Sequence, residues 1–176
     1  LFRSHAVNIT DDIKLNADLG LELETVQNDF KIINRNSSTY LNFSLAPKVT
    51  FMKGETYLML GSGFSFLNSR YSNLMMAGEA KNSKTFWFPQ AEFQLAASKE
   101  FKFYGGVDGG LKLNTYSDLL QQNPFLVSDQ MLRPTETTFH FYAGLRGDIS
   151  ETLKYDFSAG FGKINNIMFF KANTLF

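Results

Sequence analysis

Cysteine is absent from the sequence, which excludes a disulfide framework, thiolate metal sites and a cysteine nucleophile and leaves the compartment open. Neither charge sign is in excess: 17 basic side chains stand against 17 acidic ones. The chain therefore has no surplus of cations to neutralise phosphates, and nucleic acid is not an expected partner. Long apolar runs are missing as well, and none approaches the roughly 20 residues of a transmembrane helix. That does not exclude a bilayer, because closed β-barrels cross one without such a run. Proline is scarce, at 4 of 176 residues, and no low-complexity linker is present. The chain starts at Leu1 without a methionine or a signal-peptide pattern, so it is expected to be mature, trimmed or part of something longer.

What is abundant is phenylalanine (19) and glycine (13), a composition that favours strands over disorder. Apolar and polar residues alternate with period two through most of the chain. Ile13, Leu15, Ala17, Leu19, Leu21 and Leu23 share one face, and Lys14, Asn16, Asp18, Glu22 and Glu24 the other. Comparable segments run through Leu41–Phe51, Leu58–Phe66, Trp87–Ala97, Phe101–Leu113, Phe139–Leu145 and Leu153–Phe161, with the termini able to add partial strands. The fold class that follows is all-β: one antiparallel up-and-down meander of about seven to nine strands, each of about 11–13 residues, forming a single segment over residues 1–176.

Turn chemistry fixes an expected register. A two-residue turn at Lys53-Gly54 sets Phe51 opposite Thr56 and Val49 opposite Leu58. Turns centred on Lys99 and Ser150 set Phe93 opposite Gly105 and Leu145 opposite Tyr155, and each keeps the apolar set on one side. The connections alternate between these tight turns and long loops at 26–39, 67–84 and 114–136. In the last, Ser117 is a plausible N-cap for a helical turn ended by Asn123-Pro124.

The two faces differ in charge. Lys14, Asp18, Glu22, Glu24, Lys48, Glu92, Lys102, Asp108, Lys112, Arg146, Asp148, Lys154 and Asp156 lie on the polar face, whereas Lys163 is alone on the apolar one. A soluble barrel or sandwich would bury the apolar face, and a membrane barrel would turn it to lipid around a wet lumen. Strand length, a charged face rich in glycine and tyrosine, aromatics near the strand ends and the alternating loops favour the membrane arrangement, part of a transmembrane β-barrel. A narrow eight-stranded barrel would crowd these charges, so a portion of a larger barrel is expected.

The residues from Phe103 to Phe170 resemble the barrel of TonB-dependent-receptor-like outer-membrane proteins. The likeness rests on a glycine-rich strand (Gly105-Gly106-Val107-Asp108-Gly109-Gly110-Leu111), Asn114-Thr115-Tyr116, a short helix and Asn123-Pro124-Phe125. A paired hairpin follows, from Phe141 through Arg146 to Leu153-Lys154-Tyr155-Asp156, and Met168-Phe169-Phe170 comes after it. The resemblance implies an integral position in a Gram-negative-type outer membrane and a transport or receptor role. The lipid bilayer is then the first partner, with other outer-membrane proteins or surface lipoproteins as further ones. No plug domain or TonB-box-like segment is recognised, and the resemblance identifies no substrate. Two alternatives stay open: a structural or docking barrel within a larger complex, and a soluble β-barrel or sandwich binding an apolar ligand.

No enzyme chemistry, cofactor or metal is expected. His5 and His140 are the only histidines. The expected register sets His140 opposite Gly160, diagonal to Ser158, with no carboxylate beside it to complete a triad. Glu22 and Glu24 lack calcium-loop spacing. Arg146, opposite Lys154 and diagonal to Asp148 or Asp156, reads as part of a structural charge network. The ligand-binding residues, if any, are left unassigned.

Overall fold

The computed structural model describes residues 2–8, 10, 12–30, 36–73, 78–126 and 132–170. Eight strands follow in order: β1 (Phe2–Asn8), β2 (Lys14–Asp29), β3 (Asn36–Lys53), β4 (Thr56–Asn73), β5 (Gly78–Ala96), β6 (Lys102–Lys112), β7 (Thr135–Asp148) and β8 (Lys154–Asn165). A single helix, α1 (Tyr116–Gln122), lies between β6 and β7. Every strand pairs antiparallel with its sequence neighbours, giving one eight-stranded sheet in the order β1 to β8 that does not close on itself. The expected meander is therefore observed.

The strands are longer than the alternation suggested. β2 has 16 residues, β3 and β4 have 18 each and β5 has 19, far beyond the usual strand of about 5–6. Much of the expected loops at 26–39 and 67–84 is instead sheet. Only the connection from β6 to β7 is long.

Two hairpins shift from the expected register by two residues. The turn after β3 is Gly54-Glu55, with Lys53 opposite Thr56. Gly54 has φ +59° and occupies the first central position, the place that a type II′ turn reserves for glycine. Phe51 accordingly meets Leu58, and Val49 meets Leu60. At the β7–β8 hairpin, Leu145 meets Phe157 instead of Tyr155. There the Ile149 and Ser150 amides both donate to the Leu153 carbonyl, which widens the turn. Phe93 meets Gly105 as expected. A shift of two residues leaves every side chain on its original face, which is why the assignment of faces survives.

Between Asp108 and Gly110 the β6–β7 ladder slips, and the β7–β8 ladder slips between Thr137 and Phe139. These bulges change which residues of β6 point inward. Leu111 and Leu113, expected on the apolar outer face, join an inward cluster with Val26, Tyr40 and Leu67. The β3–β4 ladder is also interrupted at Ala46 and Pro47, where proline has no N–H to give.

Candidate functional site

The outward face of the sheet carries a belt of uncovered apolar side chains. It runs from Leu15 to Leu23 on β2, Leu41 to Phe51 on β3, Leu58 to Phe66 on β4 and Trp87 to Leu95 on β5, continuing through Phe103 and Val107, Phe139 to Leu145 and Tyr155 to Phe161. Leu23 is 70% exposed, Trp87 61% and Phe157 71%, so no second layer of described residues lies over them. Stacked rings mark its loop-side margin, Phe43 on Phe66 and Phe141 on Phe161. No outward side chain within these limits is charged. The outward Ser62 hydroxyl accepts a 2.6 Å hydrogen bond from the Trp87 indole N–H, so two polar groups on this face satisfy each other.

Past the belt the same strands reverse their polarity. Outward positions become Thr25, Gln27 and Asp29 on β2, Thr39 and Ser37 on β3, Asn68, Arg70 and Ser72 on β4, and Thr85, Ser83 and Lys81 on β5. Inward positions include the apolar Val26, Tyr40, Leu67 and Phe86 beside the buried polar Asn28, Ser38 and Ser69. Along the unbroken strands β2, β4 and β5 this change of polarity involves no slip of register.

The long β6–β7 connection folds onto the inner side of this loop-side region. Thr115 caps α1, its side chain accepting from the Asp118 N–H at 3.0 Å, instead of the expected Ser117. Leu113, Leu119 and Leu132 are buried. The Tyr40 hydroxyl donates to the Leu132 carbonyl and lies 2.7 Å from the Tyr71 hydroxyl, while the Tyr116 N–H donates to Asn28 Oδ1. Phe30 meets the Tyr116 ring edge-on at 5.0 Å. These contacts tie residues 113–116 and 132 to β2, β3 and β4, far away in sequence.

Towards the tight turns the inner face is a network of charges and flat rings. Lys102 pairs with Glu55 at 2.9 Å, and Lys154 with Asp148 at 3.6 Å. The Arg146 guanidinium donates to Gln94 Oε1 and lies 4.9 Å over the Tyr104 ring. Tyr104 donates to Asp156, and Tyr57 to Glu92. A cavity of about 590 Å³ lies among these residues. The structure sets Arg146 opposite Asp156, and Lys154 opposite Asp148, which corrects the expected Arg146–Lys154 pairing.

Glycines on this face stand opposite the rings. Tyr104 is the pair partner of Gly144, and Tyr142 of both Gly106 and Gly160. A Cβ at Gly144 would lie 2.7 Å from the Phe157 carbonyl oxygen and overlap the Tyr104 ring, so the missing side chain is what lets that ring lie flat.

His140 has Asp108 as its partner on β6, with Nδ1 3.4 Å from the carboxylate. The expectation of no neighbouring carboxylate is thus corrected. Its other strand partner is Gly162, not Gly160, and Ser158 lies opposite Gly144. The structure therefore brings together the acid and the base of a hydrolytic triad without the hydroxyl. Glu22 and Glu24 share the inner face, opposite Ser44 and Asn42. His5 lies on β1, opposite Ala17.

A second cavity, of about 340 Å³, opens at the loop-side end where β5 and β6 part. Their ladder runs only from Ala96/Lys102 to Ala91/Val107. Lys84, Phe86, Tyr71, Arg133, Glu136 and Asn166 are among its lining residues. Nothing in the sequence reading singled these out, because Lys84 and Arg133 fell in segments read as loops. No family model, curated protein or solved structure matches this chain.

Proposed function

We propose that the chain forms a wall segment of a transmembrane β-barrel in a Gram-negative-type outer membrane, serving a receptor or pore of the TonB-dependent-receptor-like kind. One observation carries this reading: the uncharged outward belt ends, on several adjacent strands, where the hydrophobic phase inverts. The belt spans about 9–11 residues on β2 to β5, the length of a tilted membrane strand. At about 3.3 Å per residue and a tilt of about 45°, that rises roughly 21–26 Å, close to the apolar band of outer-membrane barrels, about 25 Å tall. The remainder of β2 to β5 then projects beyond the bilayer, with polar residues outward and Val26, Tyr40, Leu67 and Phe86 among the inward ones. Unpaired main-chain groups are costly in lipid, so the edge strands β1 and β8 require further partners there. The soluble alternative would need another protein layer over Phe93, Trp87 and Phe157.

These 176 residues contain no cysteine, so each nitroxide label on them can be placed by a single substitution. Labels at Leu21→Cys, Leu45→Cys and Leu60→Cys are expected to contact lipid-dissolved oxygen in native outer-membrane preparations. Labels at Gln27→Cys and Asn68→Cys are expected to contact an aqueous relaxation agent. Equal exposure of both sets to water would end the proposal. The transport role is tested separately, by solute flux through the reconstituted native protein.

A further inference from the structure

We propose that the cleft where β5 and β6 separate binds a small anionic ligand carrying a planar apolar group. This inference stands apart from the membrane reading and rests on the cleft itself. Its volume of about 340 Å³ is near the lower end for small-molecule sites, roughly 300–1,000 Å³. That admits one ring with an acidic group and excludes a folded partner. Because β5 leaves β6 above Ala91, the cleft is also bordered by strand backbone without a ladder partner on that side.

Charge decides the sign of the ligand. Lys84 and Arg133 both line the cleft, and neither forms an ion pair among the described residues. The acidic residue that lines it, Glu136, already accepts hydrogen bonds from Thr138 (3.2 Å) and the Asn165 amide (3.1 Å). In the turn-side cavity, by contrast, Lys102 and Lys154 are paired with carboxylates and Arg146 is held by Gln94. Lys84 and Arg133 together outnumber the single carboxylate of the lining, and a bound anion would accept charge-assisted hydrogen bonds from them.

The remaining walls favour a flat apolar part. Phe86 stacks on Phe88 with ring planes 5° apart and lines the cleft beside Leu67 and Leu111. The rim is held in place: Ser69 donates to the Asn82 carbonyl at 3.0 Å. Asn166 adopts φ +55°, fixed by its amide donating to the Pro134 carbonyl and by the Thr135 hydroxyl donating to the Asn166 carbonyl.

The test uses the full chain in detergent or nanodiscs and 4-fluorobenzoate, followed by ¹⁹F NMR line broadening. The neutral 4-fluorobenzyl alcohol and the cationic 4-fluorobenzylamine are the comparators. Saturable broadening of the benzoate alone is expected. It should weaken by about tenfold or more in Lys84→Gln/Arg133→Gln, as the loss of charge-assisted contacts implies, and recover in Lys84→Arg/Arg133→Lys. Both residues are exposed, so the fold is expected to hold; unchanged amide exchange in β4 and β5 checks this. Equal broadening of all three probes, no saturable benzoate binding, or undiminished binding in the double Gln variant would overturn the proposal.

Discussion

The turn-side and loop-side halves of β2, β4 and β5 share the same backbone and the same pairing, yet they sort their residues oppositely. On the turn side, leucine and phenylalanine face outward, while Asp18 and Glu22 of β2, Tyr57 of β4 and Glu92 of β5 face inward. On the loop side, Val26, Tyr40 and Leu67 face inward and Gln27, Thr39 and Asn68 outward. The contrast teaches that hydrophobic pattern reports the surroundings and not the strand itself. The pairing continues unbroken while the outward positions change from apolar to polar.

The comparison breaks most visibly by placing one charge at two heights on the outward face. On the proposed membrane reading, Leu45→Arg, in the middle of the belt, costs about 2–4 kcal/mol, whereas Gln27→Arg is expected to fall within about 0.5 kcal/mol. Reversible unfolding in bilayers measures both, and a neutral Leu45→Arg would remove the distinction between the halves. A smaller effect separates two glycines on β6 and β7. Gly144→Val would meet the Phe157 carbonyl oxygen and the Tyr104 ring, costing about 1–3 kcal/mol by overpacking. Gly110→Ala meets nothing within 4 Å and should leave the midpoint of denaturation unchanged.

Tyr40→Phe acts on the loop side, since it removes the donor to the buried Leu132 carbonyl. A loss of about 1–2 kcal/mol is expected, with faster amide exchange at residues 113–119 and little change near Arg146. The smallest effect belongs to Lys154→Ala on the turn side. Its partner lies at 3.6 Å and both side chains are well exposed, so less than about 1 kcal/mol should be lost. A cost above that in denaturant titration would mean that the turn-side charges act cooperatively.

The sequence announced the faces of the sheet wherever leucine and phenylalanine alternated with charge, as from Leu15 to Leu23 and from Phe139 to Leu145. It hid the loop-side half because the inversion resembles a loss of pattern: Leu23 to Val26 and Phe66-Leu67 each place apolar residues on both parities. The β6 bulge was equally hidden. Gly105-Gly106 and Gly109-Gly110 have no side chains from which to read a phase, so Leu111 seemed to continue the face of Val107. The loop-side cleft depends on that bulge and on the parting of β5 from β6, and both are properties of pairing that local sequence does not display.

The turn sequences constrained hairpin length less tightly than they constrained which way a residue points. Glycine in either central position suits a two-residue turn, and Gly54 took the first place instead of the second. The helix was recognisable from Asn123-Pro124 at its end, but Thr115 and Ser117 both offer a capping oxygen. The structure selects Thr115, whose hydroxyl reaches Asp118.

β8 has one neighbour in the sheet, and nearly all its residues are exposed. Its free side presents a row of donors and acceptors beside Phe157 and Phe161, with glycines at 160 and 162 offering little steric defence. A bare border of this kind is a template for further strands, so in water β8 needs a pairing partner or a cover.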